Sequence, residues 1–232
     1  MVELTFEFQD GSGTRRGSER IVDLVIAGWT GRDPHKVQEH IDELAALGIA
    51  PPASTPCFYR AGVEMPTTAT RIDCLGDESS GEAEYVLLVA ADGSWWVGLG
   101  SDHTDRKVES YSIPVSKQMC PKPVAPVLWR FDEVAPHWDS LEIRSWVEEG
   151  GERVLYQQGS VAAMLDPRET VAAYARLGSR SGQALAPGSL MFGGTLPVIG
   201  GLRPRRVFAM ELHDPVLGRR ITHRYEARWL PG

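Results

Sequence analysis

Hydrophobic and polar residues alternate from the start of the chain. Val2, Leu4, Phe6 and Phe8 point one way and Glu3, Thr5 and Glu7 the other, the period of a half-buried strand. Gly11-Ser12-Gly13 turns the chain, and Arg20 to Ala27 reads as a second strand. The period then changes. Val37, Ile41, Leu44 and Leu47 form a helical stripe behind Asp33 as N-cap and Pro34 at the first helical position, with Gly48 as C-cap. Residues 49 to 81 are rich in Pro, Thr, Ser and Gly and show little periodicity. From Ala83 onward the pattern is strongly β. Glu84 to Ala91 and Ser94 to Leu99 flank Ala91-Asp92-Gly93, a hairpin signal. Leu141 to Glu148 and Arg153 to Gln157 flank a second turn, Glu149-Gly150-Gly151. Asp166 caps a short helix over Pro167 to Leu177, with Glu169 three residues on in a variant capping box. Arg206 to Leu212 and Ile221 to Trp229 are the last strands, and Ile221, His223, Tyr225, Ala227 and Trp229 share one face.

This order predicts a mainly β protein with two or three helices, an α+β arrangement in which a mixed sheet rolls on itself. The shift in composition places a small N-terminal α/β subdomain over residues 1–75 and a β-roll domain over 76–232.

The chain has 232 residues, 42% of them hydrophobic, with seven Trp, six Tyr and six Phe, too many for a solvated coil. The net charge of −7 argues against a nucleic-acid partner, since phosphate backbones are held by basic surfaces. The longest apolar run, Tyr85 to Ala91, is far short of the roughly 20 residues of a membrane helix. No membrane partner is expected. The start of the chain has no basic or apolar leader, and Cys57, Cys74 and Cys120 are scattered without CxxC spacing. They read as free thiols of a cytoplasmic protein.

Three segments could carry chemistry. Gly100 to Arg106, with Ser101, Asp102, His103, Thr104 and Asp105 between, is the densest polar cluster; it follows a buried-looking strand and reads either as a site or as a solvated turn. Asp105 reads as a structural cap. Glu82 and Glu84 open the strand whose hairpin partner leads to Asp102, and two residues apart on a strand they share a face. Three converging carboxylates repel one another unless a cation sits between them, and oxygen donors favour Mg2+, Mn2+ or Ca2+ over zinc. The alternative is an exposed acidic hairpin end. Pro187 to Thr195, with Gly193-Gly194-Thr195, suggests backbone and a hydroxyl brought close to a small ligand. No Walker or Rossmann spacing is present, and Gly178 to Gly182 follows a helix instead of forming a nucleophile elbow. His35, His40 and His137 are isolated, and His213 and His223 read as structural.

In this order the segments resemble the fumarylacetoacetate hydrolase superfamily over roughly residues 80 to 230, and the N-terminal part (Gly28 to Asp33, Phe58-Tyr59-Arg60) looks like its branch DUF2848. The resemblance implies the rolled mixed β catalytic fold and assigns Glu82, Glu84 and Asp102 as metal ligands. It also assigns Arg106, four residues after Asp102, and Lys117, before a Pro-rich stretch, as catalytic residues. Thr195, Gly194 and Arg106 become substrate-binding residues. The implied chemistry is hydrolysis of a C–C bond in a 2,4-dioxo acid of the acylpyruvate type, by way of an enolate stabilised by Mg2+ (or Mn2+ or Ca2+). Decarboxylation, hydration or tautomerisation of a 2-oxo acid uses the same core, and a non-catalytic binding module is the reading outside enzymes. The family's early N-Y-x-x-H segment is replaced here by Phe58-Tyr59-Arg60-Ala61, which leaves His103 as the candidate base. A homodimer is implied by the resemblance, with Trp95, Trp96 and Trp229 as an apolar patch suited to a partner.

Overall fold

The computed structural model describes residues 1–46, 51–178 and 184–231. Within them the strands are β1 (Val2–Asp10), β2 (Gly13–Ile21), β3 (Asp23–Gly28), β4 (Cys57–Ala61), β5 (Pro66–Thr67), β6 (Arg71–Leu75), β7 (Ser79–Ser80), β8 (Ala83–Val89) and β9 (Trp95–Ser101). They continue as β10 (Thr104–Asp105), β11 (Lys122–Pro123), β12 (Val127–Arg130), β13 (Glu142–Glu149), β14 (Glu152–Ser160), β15 (Ser189–Thr195), β16 (Val207–Asp214) and β17 (Arg219–Leu230). The α-helices are α1 (Pro34–Ala46) and the shorter α2 (Arg106–Glu109), α3 (Ile113–Ser116), α4 (Phe131–Val134) and α5 (Pro167–Ala173). The protein is mainly β with few helices, as the periodicity predicts.

Eight strands form a mixed sheet in the order β2-β1-β12-β9-β8-β15-β3-β4, and five form a second in the order β14-β13-β16-β17-β6. The β1–β12 and β15–β3 pairs are parallel, and β8 runs antiparallel to both β9 and β15. Two apolar layers explain the stacking. Tyr85, Leu87, Val97 and Met191 of the large sheet share one core with Ile143, Tyr156, Phe208, Met210 and Tyr225 of the small one. Phe6, Phe8, Leu24, Ile26, Val86, Leu88, Leu128 and Phe192, all from strands of the large sheet, form most of a second core, to which Ala90 and Val124 add from the adjoining segments. That sheet therefore curls and buries its other face against itself, while β2 and β4 remain as its edges. All seven residues of β8 are buried, as befits a central strand with apolar layers on both sides.

The strands before residue 76 are part of this frame: β3 lies between β15 and β4, and β1 pairs with β12. The predicted boundary at residue 75 thus does not separate two sheets, because the large one is built from both sides of it: β2-β1 and β3-β4 flank the central block β12-β9-β8-β15. The strand predicted from Arg20 to Ala27 is divided at Val22, which is 45% exposed and donates its N–H to the Gly188 carbonyl. β2 is largely solvent-facing and β3 is buried, so one continuous strand could not serve both environments. Asp33 caps α1 as predicted, accepting from the His35 and Lys36 amides. The Leu44 side chain, Leu47, Gly48 and Ser179 to Gly182 lie outside the described residues. The predicted helix over Pro167 to Leu177 is α5 followed by a wider π turn from Tyr174. Trp96 contributes nothing to an exposed patch: it is 1% exposed and packs edge-on against Phe8, with ring centroids 4.8 Å apart. No described helix is long and apolar enough to cross a membrane.

Candidate active site

The β8–β9 hairpin brings the acidic residues together. Its register pairs Ala83 with Ser101 and Glu84 with Gly100, and the Asp102 amide donates to the Glu82 carbonyl at 3.0 Å. One carboxylate oxygen from each of Glu82, Glu84 and Asp102 lies within 4.8 Å of the others. Glu84 and Asp102 are buried and Glu82 is half-buried. The polar run from Ser101 to Asp105 is buried throughout, which excludes the solvated-turn reading. Asp105 is the structural cap expected of it, its carboxylate accepting the Val108 amide of α2 at 2.8 Å.

Cations surround the triad. Lys117 Nζ lies 2.6 Å from Asp102 Oδ2 and 3.1 Å from Glu109 Oε1. Lys122 Nζ lies 2.9 Å from Asp102 Oδ1 and donates to the His103 carbonyl at 2.5 Å. The Arg106 guanidinium is 2.7 Å from Glu109 and 3.4 Å from Glu82, and its Nε donates to Ser80 Oγ. Four carboxyl groups thus face three fixed cations, and the excess falls on Glu84. Burial, reinforced by the Asp102 charge, pushes Glu84 well above the usual carboxylate range. Burial also raises Glu82, against the opposing pull of Arg106 and Lys117. Asp102 goes the other way: burial would raise it, but Lys117 and Lys122 hold it well below that range. The same carboxylates keep Lys117 firmly protonated despite its burial, Asp102 first and Glu109 next.

The glycine-rich segment closes onto Glu84. The β15–β8 register slips between Phe192 and Thr195, and this irregularity aims the Gly194 amide at Glu84 Oε2, 2.7 Å away. Gly194 has φ +105°, and a Cβ there would stand 1.9 Å from Thr30 Oγ1. A Cβ on Gly193 would stand equally close to the Tyr85 ring. Only glycine lets the backbone pass here. The Thr195 hydroxyl donates to the Ala83 carbonyl and accepts from Gln157 Nε2, so its proton is already engaged beside the cluster.

The structure therefore brings together Glu82, Glu84, Asp102, Arg106, Lys117 and Gly194, with Thr195 adjoining. It does not bring His103 with them. Its ring is fully buried, with Nδ1 2.9 Å from the Tyr225 hydroxyl and Nε2 3.0 Å from Ser79 Oγ. Successive residues of an extended segment point to opposite sides, so the ring beside Asp102 in sequence turns away from Asp102 in space, and the candidate base faces Tyr225 and Ser79 instead. His137 is not isolated either, since its Nε2 lies 3.0 Å from Asp214.

Sequence reasoning missed three participants. Lys122 stands between Pro121 and Pro123, which hold it in extended backbone; a lysine so restrained was the available signal. Glu109 stands three residues after Arg106, the spacing of a helical ion pair. Gln157 gave no signal. It is fully buried, and its amide joins the two sheets: Oε1 accepts from the Ala83 amide and Ser145, and Nε2 donates to Thr195 and the Leu196 carbonyl.

Oxygen donors converging in a largely buried cluster with one carboxyl in excess could hold a hard divalent cation. Its charge would oppose the burial and the Asp102 charge that raise the Glu84 carboxyl.

The family model for the protein of unknown function DUF2848 matches residues 27–225. No curated protein matches the sequence. Among solved structures, the chain is similar to yeast ynq8, a fumarylacetoacetate hydrolase family protein, with 18% identity, TM-score 0.62, and 91% of this chain and 95% of that one covered. A 2-keto-3-deoxy-D-arabinonate dehydratase complexed with magnesium and 2,5-dioxopentanoate aligns at 14% identity and TM-score 0.62, over 96% of this chain and 79% of that one. A maleylpyruvate hydrolase from Sphingobium sp. SYK-6, in complex with manganese(II) and pyruvate, aligns at 15% identity and TM-score 0.56, over 94% and 78%. The chain belongs to the DUF2848 family and carries the fold of the fumarylacetoacetate hydrolase family proteins.

Proposed function

We propose that the protein is a divalent-metal-dependent enzyme acting on a small 2-oxo acid, with C–C bond hydrolysis in a 2,4-dioxo acid of the acylpyruvate type as its reaction. The observation that carries this reading is the buried triad of Glu82, Glu84 and Asp102, with oxygens within 4.8 Å of one another and one carboxyl uncompensated. A dication bound there would supply Lewis acidity toward the oxygens of a 2-oxo acid. Mg2+ and Mn2+ are the ions in the two similar enzymes, and each of those structures holds a 2-oxo acid.

The chain's own residues supply the rest. Hydrolysis adds water's hydroxyl to the acyl carbon, breaks the C3–C4 bond and leaves its electron pair on the 2-oxo oxygen until C3 is protonated. Lys117 and Arg106 hold positive charge next to the triad at fixed positions, which stabilises charge developing on that oxygen. The Gly194 amide fixes the orientation of Glu84. A decarboxylase, hydratase or tautomerase acting on a 2-oxo acid at the same site is the second reading. The placement of His103 favours its decarboxylase and tautomerase forms, because the candidate base is turned out of the site and neither of those reactions needs an activated water.

Thermal unfolding with Mg2+ or Mn2+, with and without oxalate as a pyruvate-enolate analogue, tests the site. A ligand that binds only the folded state raises the melting temperature. A metal-induced rise that oxalate enlarges and Asp102→Asn abolishes is the expected result. Absence of a shift with either ion refutes the metal site and returns the protein to a binding role. Products then separate the reactions: hydrolysis yields two fragments, decarboxylation releases CO2, and tautomerisation conserves mass.

A further inference from the structure

A second cluster lies behind His103. Cys74 comes from β6 of the small sheet, Cys120 from the segment before β11, and His103 from the end of the β8–β9 hairpin. Each is at most 1% exposed, and one ligand atom from each lies within 4.8 Å of the others. Both cysteines are free thiols. Ser79 joins them, its Oγ 3.0 Å from His103 Nε2.

We propose that Cys74, Cys120 and His103 form a structural site for a thiophilic dication of the Zn2+ type, separate from the carboxylate triad. Three arguments carry it. The donor set is soft, two sulfurs and an imidazole nitrogen, and Cys2His is a zinc set, whereas the triad offers only hard oxygens. The charge balances: both thiols release their protons to solvent, and two thiolates with a neutral imidazole cancel the dication, so burial carries no net charge. The outer contact is in place as well. In the tautomer with Nδ1–H donating to the Tyr225 hydroxyl, whose oxygen is 2.8 Å from Ser101 Oγ, Nε2 is left with a free lone pair on the Ser79 side of the ring. A ligating histidine characteristically donates its other N–H to an oxygen in this way.

The consequence is mechanical. His103 directly follows Asp102, and its carbonyl accepts from Lys122, which also holds Asp102. An ion on the His103 ring would fix the backbone that presents Asp102 and tie β6 of the small sheet to the hairpin of the large one. A site with no exposed ligand admits no substrate, so its role is structural.

The test uses the whole protein, stripped of metal under reducing conditions and titrated with Zn2+ and with Co2+. One Zn2+ per chain that persists in Glu84→Gln is expected, and thiolate-to-cobalt charge-transfer absorption should appear with Co2+. Cys120→Ser should remove that absorption and weaken Zn2+ binding by more than the roughly 10–100-fold that outer-contact changes cause. If Cys120→Ser does not fold, the wild-type cobalt spectrum together with protection of both thiols from alkylation by Co2+ decides. The proposal is overturned by a cobalt spectrum with oxygen-donor bands alone, or by zinc binding that Glu84→Gln abolishes. An isolated protein two hydrogens lighter through a Cys74–Cys120 disulfide would overturn it too. The carboxylate site has its own readout, the oxalate-enlarged thermal shift that Asp102→Asn abolishes, so failure of one reading is distinguishable from failure of the other.

Discussion

The ammonium of Lys122, with no exposed surface, sits 2.9 Å from Oδ1 of Asp102, while Lys117 holds the other oxygen of the same carboxylate. A fully buried lysine is tolerated because both its charge and its N–H groups are matched, the latter partly by the His103 carbonyl. Removing one partner of such a set leaves buried charge uncompensated. Lys122→Met should therefore cost about 3 kcal/mol, a fall of roughly 6–12 °C in melting temperature for a domain of this size. The double variant Lys122→Met/Asp102→Asn should lose less than the sum of its parts. Additive losses by differential scanning calorimetry would show that the two residues are not coupled.

Gly194 and Thr30 are fitted to one another. Gly194→Ala places a methyl 1.9 Å from Thr30 Oγ1 and also forces a side chain into φ +105°. The two effects separate in a double-mutant cycle. Thr30→Ala in the Gly194→Ala background should recover the steric part, and the backbone part of about 1–2 kcal/mol should stay. Chemical denaturation measures both, and no recovery would mean that backbone strain is the whole effect.

Glu84 sets a pH dependence with a definite sign. Its pKa is raised in the folded protein by burial and then by Asp102, so the folded state binds the proton more tightly than the unfolded chain does. Its contribution is fully present below the unfolded value and is lost as pH rises through the raised folded one. Without metal, Glu84→Gln, which mimics the protonated form, should match the wild type near pH 4 and exceed it in stability at pH 8. Mg2+ should then stabilise the wild type and not the variant. Equal stability of the two proteins across this range would contradict the raised pKa.

Gln157 satisfies four groups on two sheets. The Ala83 amide can only donate, which fixes which end of the side-chain amide is oxygen. Gln157→Leu leaves those partners buried and unpaired, at about 1–3 kcal/mol for each group that finds no substitute. A combined loss above about 3 kcal/mol by urea denaturation is expected, with weaker Mg2+ binding because Ala83 lies between Glu82 and Glu84. A stability change below about 1 kcal/mol would show that the sheets are held without it.

The hairpin was legible because the sequence signals were local. Asp92-Gly93 is a turn whose flanks are apolar, and its register alone sets Glu84 opposite Gly100 and Asp102 near Glu82. Asp33 and Asp166 were readable as caps for the same reason, since a cap needs only its own helix. His103 was not. On sequence it shares a polar run with Asp102, but its ring is directed by Tyr225 and Ser79, residues 122 and 24 positions away.

The sequence by itself therefore determined the strand content, the turns and the E-x-E and Asp102 elements, because periodicity and turn chemistry act over a few residues. Only the tertiary structure decided that β3 joins the large sheet between β15 and β4, that Lys122 and Glu109 complete the charge balance, and that His103 joins Cys74 and Cys120 instead of the carboxylates. Those outcomes depend on which buried charges and polar atoms can be matched across the chain. That matching is fixed when the two sheets close on their shared core, and no short stretch of sequence contains it.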